Sequence, residues 1–175
     1  MSNYAFIDAQ NLYLATTRAE RPWRIDLKRF RVYLAEKYLV TKAYYFLGVF
    51  DDAHRDMYQA IQEYGYILVF REHSKNLIGK KKGNVDVDVV FLVMRKLYER
   101  EDFSKVVLVS GDGDYKRMVD YLIKENRFER ILLPNKKRAS SLYKKISPRY
   151  QGKLDDENVM RKISRKDRKE NAGPP

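Results

Sequence analysis

The sequence contains no cysteine, which excludes disulfides, thiolate zinc sites and cysteine nucleophiles. Histidine is scarce as well. Only His54 and His73 occur, neither lies within an acid-rich motif, and both read as surface residues, so an imidazole-based acid–base mechanism has little support. No apolar run approaches the ~20 residues needed to cross a bilayer. The opening stretch, Met1-Ser-Asn-Tyr-Ala-Phe-Ile-Asp, lacks the basic, apolar and small-residue blocks of a signal peptide. A soluble cytoplasmic setting without membrane contact is expected. There is no internal repeat and no Gly/Ser linker. What is abundant is positive charge: 36 Lys and Arg stand against 24 Asp and Glu, a formal net charge of +12. That balance favours a polyanionic partner, because cationic surfaces release counterions from phosphate backbones. With 44% hydrophobic and 13% aromatic residues, a 175-residue chain can bury one core of its own.

Short apolar runs alternate with longer segments of helical period, the signature of a parallel sheet covered by helices. The runs are Tyr4–Ile7, Ala43–Val49, Tyr66–Phe70, Lys105–Ser110 and Arg130–Pro134. Between them, Asp26 to Tyr38 places Leu27, Phe30, Leu34 and Tyr38 on one stripe behind an Asp26 N-cap. Ala53 to Tyr64 repeats the pattern and ends at Gly65, a residue suited to a C-terminal cap. Val85 to Tyr98 is apolar over most of its surface and is expected to be deeply buried, and Tyr115 to Glu125 forms a further helix. The expected fold class is α/β, a three-layer, Rossmann-like domain whose mostly parallel sheet has about five strands. Residues 1–148 are expected to form this domain. Residues 149–175 are expected to be a basic, flexible tail, with a helical turn or two around Val159.

Acidic residues recur where such a sheet binds ligands, beyond the carboxyl ends of its strands. Asp8 follows the first run within Phe6-Ile-Asp-Ala-Gln-Asn11, and Asp112 and Asp114 follow the fourth within Val109-Ser-Gly-Asp-Gly-Asp-Tyr115. Asp86 and Asp88 open a helix within Lys82-Gly-Asn-Val-Asp-Val-Asp88. Taken singly, Asp86 or Asp114 reads as an N-cap, Gly-Asp-Gly-Asp as a turn and Asn11 as a helix cap. Asp8 is harder to assign so, because it ends an apolar strand. If the three segments meet, their carboxylates repel one another unless a cation neutralises them, and oxygen ligands without His or Cys suit Mg²⁺ or Mn²⁺.

The same three segments resemble the motifs of the NYN domain family, LabA-like members of the PIN-like ribonuclease superfamily. Phe6-Ile-Asp-Ala-Gln-Asn11 is similar to the opening motif, Lys82-Gly-Asn-Val-Asp-Val-Asp88 to the central one and Val109-Ser-Gly-Asp-Gly-Asp-Tyr115 to the third. Order and spacing agree over roughly residues 3 to 146. The resemblance implies a PIN-like fold and metal-dependent, endonucleolytic hydrolysis of RNA, single-stranded RNA in particular. It implies Asp8, Asp86, Asp112 and Asp114 as catalytic and metal-binding acids, Asp88 as a further metal ligand, and Asn11 beside them; Asn11 is also expected to hold a phosphate or a metal-bound water. Near the chain end it lapses: Ile146-Ser-Pro-Arg-Tyr150 stands where many LabA-like members carry Ala-Asp before an apolar pair.

Two basic segments are expected to frame the site and contact RNA phosphates. One carries Lys80, Lys81 and Lys82 and the other Lys136, Lys137 and Arg138, with Ser110, Ser140 and Ser141 as hydrogen-bond donors. Tyr13, Tyr115 or Tyr143 could stack on bases. Three other readings compete: a non-catalytic RNA-binding or scaffold domain, an aspartyl-phosphate phosphatase, and a toxin-like component checked by a regulatory protein. The phosphatase reading is weakened by Gln10, which stands where a second Asp is usual. The sequence leaves a homodimer open.

Overall fold

Each strand of the sheet is built so that alternate residues feed two different cores. The computed structural model describes residues 2–71 and 85–166. Its elements run β1 (Asn3–Asp8), α1 (Ala9–Thr17), α2 (Leu27–Tyr38), β2 (Val40–Leu47), α3 (Arg55–Glu63), β3 (Tyr66–Phe70), α4 (Asp86–Tyr98), β4 (Val106–Val109), α5 (Lys116–Lys124), β5 (Phe128–Leu133), β6 (Gln151–Lys153) and α6 (Glu157–Ile163). Side chains alternate across a strand. Tyr4, Phe6, Val106 and Leu108 therefore join one core with Val89 and Val93 of α4 and Val119 and Leu122 of α5. Ala5, Ile7, Val107 and Val109 join the other with Leu12 of α1, Phe30 and Leu34 of α2 and Ile163 of α6. A strand buried on both faces must be apolar throughout, which is why β4 reads Val-Val-Leu-Val.

The order across the sheet is β3-β2-β1-β4-β5-β6, with every neighbouring pair parallel. The chain winds outward from β1 to β3, then returns to the other side of β1 for β4. That reversal leaves a crevice beyond the carboxyl ends of β1 and β4, where Ile7 is in register with Val109. Asp8 and the Ser110–Asp114 loop are the next residues out. Local signals behave as expected at Asp26, whose side chain accepts from Arg29 N–H. They do so again at Gly65, which adopts φ +90 behind α3, a conformation that glycine adopts without strain.

Two expectations are corrected. Residues 149–166, expected as the start of a flexible tail, complete the domain. Gln151–Lys153 forms a sixth strand paired with Ile131–Leu133. α6, containing Val159, carries a fully buried Ile163, and Leu154 ahead of it is fully buried too. The end of α6 is tied down by Asp26 N–H donating to the Ile163 carbonyl and Arg165 N–H to that of Arg24. The strand was hidden because Gln-Gly-Lys carries no apolar signal. The second correction concerns α4, expected to be deeply buried. It buries Asp86, Val89 and Val93 alone, and its apolar residues Val87, Phe91 and Met94 lie on an exposed face with Tyr98, which is 88% exposed. Lys80, Lys81, Lys82 and His73 lie outside the described residues.

Because α6 closes one core rather than trailing from it, Leu154→Ala and Ile163→Ala should each cost about 2–4 kcal/mol, the usual loss for truncating a buried aliphatic side chain. Urea unfolding measures this. Losses below about 0.5 kcal/mol for both would show that this segment does not contribute to the fold.

Candidate metal centre

Asp8 ends β1 at the crevice and is 5% exposed. One carboxylate oxygen caps α1 by accepting Asn11 N–H at 2.9 Å, and the other accepts the Tyr115 hydroxyl at 3.1 Å. The Asn11 side chain reaches across the switch point, where its Oδ1 accepts Gly111 N–H at 2.8 Å. The loops after β1 and β4 are thus clipped together. Asp8, rather than Asn11, is the helix cap.

The β4 loop is shaped by its own small side chains. Ser110 is fully buried, and its hydroxyl accepts Asp112 N–H at 3.1 Å. Asp112 in turn accepts Asp114 N–H at 3.1 Å and so caps the short helical turn Gly113–Tyr115. The Tyr143 hydroxyl donates to the Asp112 carbonyl, and Ser140 N–H to that of Gly111 at 2.9 Å. Gly113 has no room for a side chain, since a Cβ there would lie 2.5 Å from Ser140 Oγ.

These anchors, with the first turn of α4, bring three segments together. One carboxylate oxygen from each of Asp86, Asp112 and Asp114 lies within 4.8 Å of the others. Burial grades outward, from Asp86 (7% exposed) through Asp112 to an exposed Asp114. Asp8 lies alongside this trio. Its pKa is raised, first by burial and then by the charges of Asp86 and Asp112, against the lowering effect of its two hydrogen bonds. The Tyr115 hydroxyl lies against both Asp8 and Asp86, and burial together with those charges holds it far above the usual phenol range, so it stays a donor. Clustered oxygen donors, one of them buried, are the ligand set that a hard divalent cation takes.

A cleft of about 320 Å³ opens beside the acids, lined by Asp8, Asn11, Asp86, Asp112, Arg18 and Arg138 among others. Arg18 was missed by sequence reasoning. Its signal was the spacing of Asn11, Leu14, Ala15 and Arg18 on one face of α1. Asn135, also missed, is buried, and its Oδ1 accepts the N–H groups of Lys137 and Arg138 at 3.0 and 3.2 Å. Other expected site residues fall elsewhere. Asp88 is absent from the acidic trio, because a residue two positions along a helix turns away from its predecessor. Ser110 is enclosed and holds the loop instead of facing solvent. Lys136 is exposed, and Lys137 Nζ pairs with Glu20 at 2.8 Å. Ser140 Oγ accepts Leu142 N–H at 3.3 Å, and Ser141 is exposed. Tyr115 and Tyr143 are fully buried and so cannot stack on a base, whereas Tyr13 is exposed.

The raised pKa belongs to the folded state, so with rising pH the unfolded chain gives up the Asp8 proton first. Stability of the ion-free protein contributed by this group is full below the ordinary Asp pKa and is lost as pH rises through the raised value. Asp8→Asn keeps an acceptor for Asn11 and removes that loss. In EDTA, the variant should unfold a few degrees higher than the wild type at neutral pH, with the gap closing as pH falls. Thermal unfolding across the carboxylate range checks this. A variant less stable at neutral pH would overturn the assignment of repulsion to Asp8.

Comparison with known proteins bears on the family and the fold. The family model for the NYN domain matches residues 4–150. The protein LabA ("Low amplitude and bright") of Synechococcus elongatus is 26% identical over 126 residues, covering 67% of this chain and 65% of that protein. The chain therefore spans somewhat under two thirds of that relative's length. The crystal structure of a Vibrio parahaemolyticus protein of unknown function superimposes with a TM-score of 0.69 at 22% identity, covering 89% of this chain and 93% of that one, a likeness of fold. The sheet order, the acids at its switch point and a family match over most of the chain lead to one assignment: the chain belongs to the NYN domain family.

Proposed function

We propose that the chain is a divalent-metal-dependent ribonuclease that cleaves single-stranded RNA endonucleolytically at the crevice beyond β1 and β4. The observation that carries this reading is the convergence of Asp86, Asp112 and Asp114 beside Asp8, three chain segments joined at one point in a domain of the NYN family. Asp86, Asp112 and Asp114 would hold Mg²⁺ or Mn²⁺. When bound, such an ion supplies Lewis-acid stabilisation of charge on phosphoryl oxygens and favours ionisation of an attacking water.

The chain's own groups do the rest. Asp8 is fixed by Asn11 N–H and the Tyr115 hydroxyl, which hold its carboxylate at the inner wall. Tyr115 donates without carrying positive charge, so it orients the acids and leaves their charge uncompensated. Asp114, the most exposed of the trio, is placed to orient water arriving from solvent. Arg138 and Arg18 line the cleft and offer guanidinium groups to a phosphate entering it. Lys137 is not among the lining residues and pairs at the surface with Glu20.

Incubation of the purified chain with labelled single-stranded RNA, in Mn²⁺, Mg²⁺ or EDTA, tests this. Cleavage should require the ion and should fall at least about 100-fold in Asp112→Asn, with RNA binding kept or strengthened as repulsion drops. Cleavage that persists in EDTA, or in the variant, would overturn the reading. RNA binding without cleavage under any ion would favour a non-catalytic RNA-binding domain. Separately, Arg138→Gln should weaken RNA binding and reduce the slope of log affinity against log salt by about one, as for loss of one phosphate contact. An unchanged slope would remove Arg138 from the RNA path.

A further inference from the structure

A second cleft, of about 410 Å³, lies on the sheet face covered by α2 and α6 and shares no lining residue with the acidic cleft. Its walls include Tyr33, Lys37 and Tyr38 of α2, Arg130 of β5, Lys153 of β6 and Asp156 at the head of α6. Three cations line the cleft with one carboxylate, but Lys153, in register with Leu133 of the other core, leaves its strand toward the opposite face of the sheet. Two of them converge on a single ring, Lys37 Nζ lying 5.6 Å and Arg130 Cζ 5.8 Å from the Tyr38 centroid. Among the described residues, none of the three cations forms an ion pair. Arg130 Nε is also buried with no hydrogen-bond partner among them. A buried donor without a partner is unfavourable in isolation and is relieved by an anion.

Gly152 forms part of the floor. A Cβ there would lie 2.6 Å from Leu132, and 3.3 Å from both the Arg130 side chain and the Tyr38 hydroxyl, so any other residue would crowd the space between them. The Tyr33 hydroxyl already accepts Lys37 Nζ at 3.0 Å, leaving its proton to donate. Burial, with a hydrogen bond to Tyr33, pushes the Tyr38 phenol up to about 12, so it keeps its proton and spends it on the Tyr33 hydroxyl. Lys37, Arg130 and the Tyr33 phenol together supply more donors than the two oxygens of a carboxylate can use. They match a phosphate group, which has three terminal oxygens and suits a guanidinium fork. The volume falls in the range of small-molecule sites and suits a compact ligand better than a length of polymer.

We infer that this cleft is a binding site for a small phosphate-bearing molecule, a free nucleotide or a polyphosphate, separate from the acidic crevice. The occupant bridges Lys37 of α2 and Arg130 of β5 over the Gly152 floor.

Isothermal titration of the full chain in EDTA at low salt tests the site without divalent ion or RNA, independently of the ribonuclease reading. The probes are inorganic pyrophosphate, adenosine 5′-monophosphate and citrate. One phosphate-bearing probe should bind at one site per chain. Its affinity should fall at least tenfold in Arg130→Gln and in Lys37→Gln. Pyrophosphate bound best would identify the bare phosphate group as the feature recognised, and the nucleotide bound best would add its base. Arg130 is half-buried and its replacement can perturb β5, so the exposed Lys37 variant decides. The assignment is overturned by failure of both phosphate probes to bind, by citrate binding as tightly, by binding that survives Lys37→Gln, or by binding lost in Arg138→Gln alone.

Discussion

Repulsion among carboxylates held at one end of the sheet is the constraint around which this domain is organised. Two carboxylates near 5 Å repel by on the order of 3 kcal/mol at an effective dielectric of about 20. That is a sizeable fraction of the roughly 5–15 kcal/mol by which domains are stable. The acids would separate if the backbone allowed it. It does not, because Asp8 and Asp112 extend from β1 and β4, strands buried over their whole length between two cores. The Asn11–Gly111 hydrogen bond then fixes the spacing of the two loops. Packing far from the crevice holds the acids where their charges oppose one another.

The hydrogen-bonding partners inside the crevice are informative for the same reason. Tyr115 and Tyr143 deliver hydroxyls to the Asp8 carboxylate and the Asp112 carbonyl while their rings fill the core. Phenols fix geometry but carry no charge. A lysine or arginine at either position would satisfy the same acceptors and also neutralise the acids internally, which would remove most of the attraction for a cation. Neutral donors orient the acids and preserve their field.

Much of this was legible in the sequence, for identifiable reasons. β1, β4 and their terminal acids stood out because strands buried on both faces must be continuously apolar, so an Asp at the end of one is conspicuous. The parallel sheet followed from the alternation of apolar runs with helical segments. Legibility failed where the signal was short or ambiguous. β6 is Gln-Gly-Lys and is recognised only through its pairing with β5. α4 is apolar around its circumference, and composition could not show that Val89 and Val93 face inward while Phe91 and Tyr98 do not. The tyrosines near the site resembled stacking platforms because a sequence does not separate a buried phenol from an exposed one. Ser110 resembled a phosphate donor for a similar reason, its hydroxyl having been taken up by the loop that it shapes.

Local and global charge have opposite signs at the crevice. The chain as a whole is strongly cationic, at +12, and attracts polyanions at long range. At the crevice the sign reverses, since four carboxylates face the guanidinium groups of Arg18 and Arg138, a formal excess of two negative charges. One divalent ion cancels that excess. If RNA is the substrate, an ion-free protein would still collect it over its basic surface but would repel a phosphate from the acids themselves. Binding of the ion would then remove the repulsion at the one place where chemistry can occur. On that reading, affinity and productive positioning would rest on different charges, one set spread over the surface and the other concentrated where β1 meets β4.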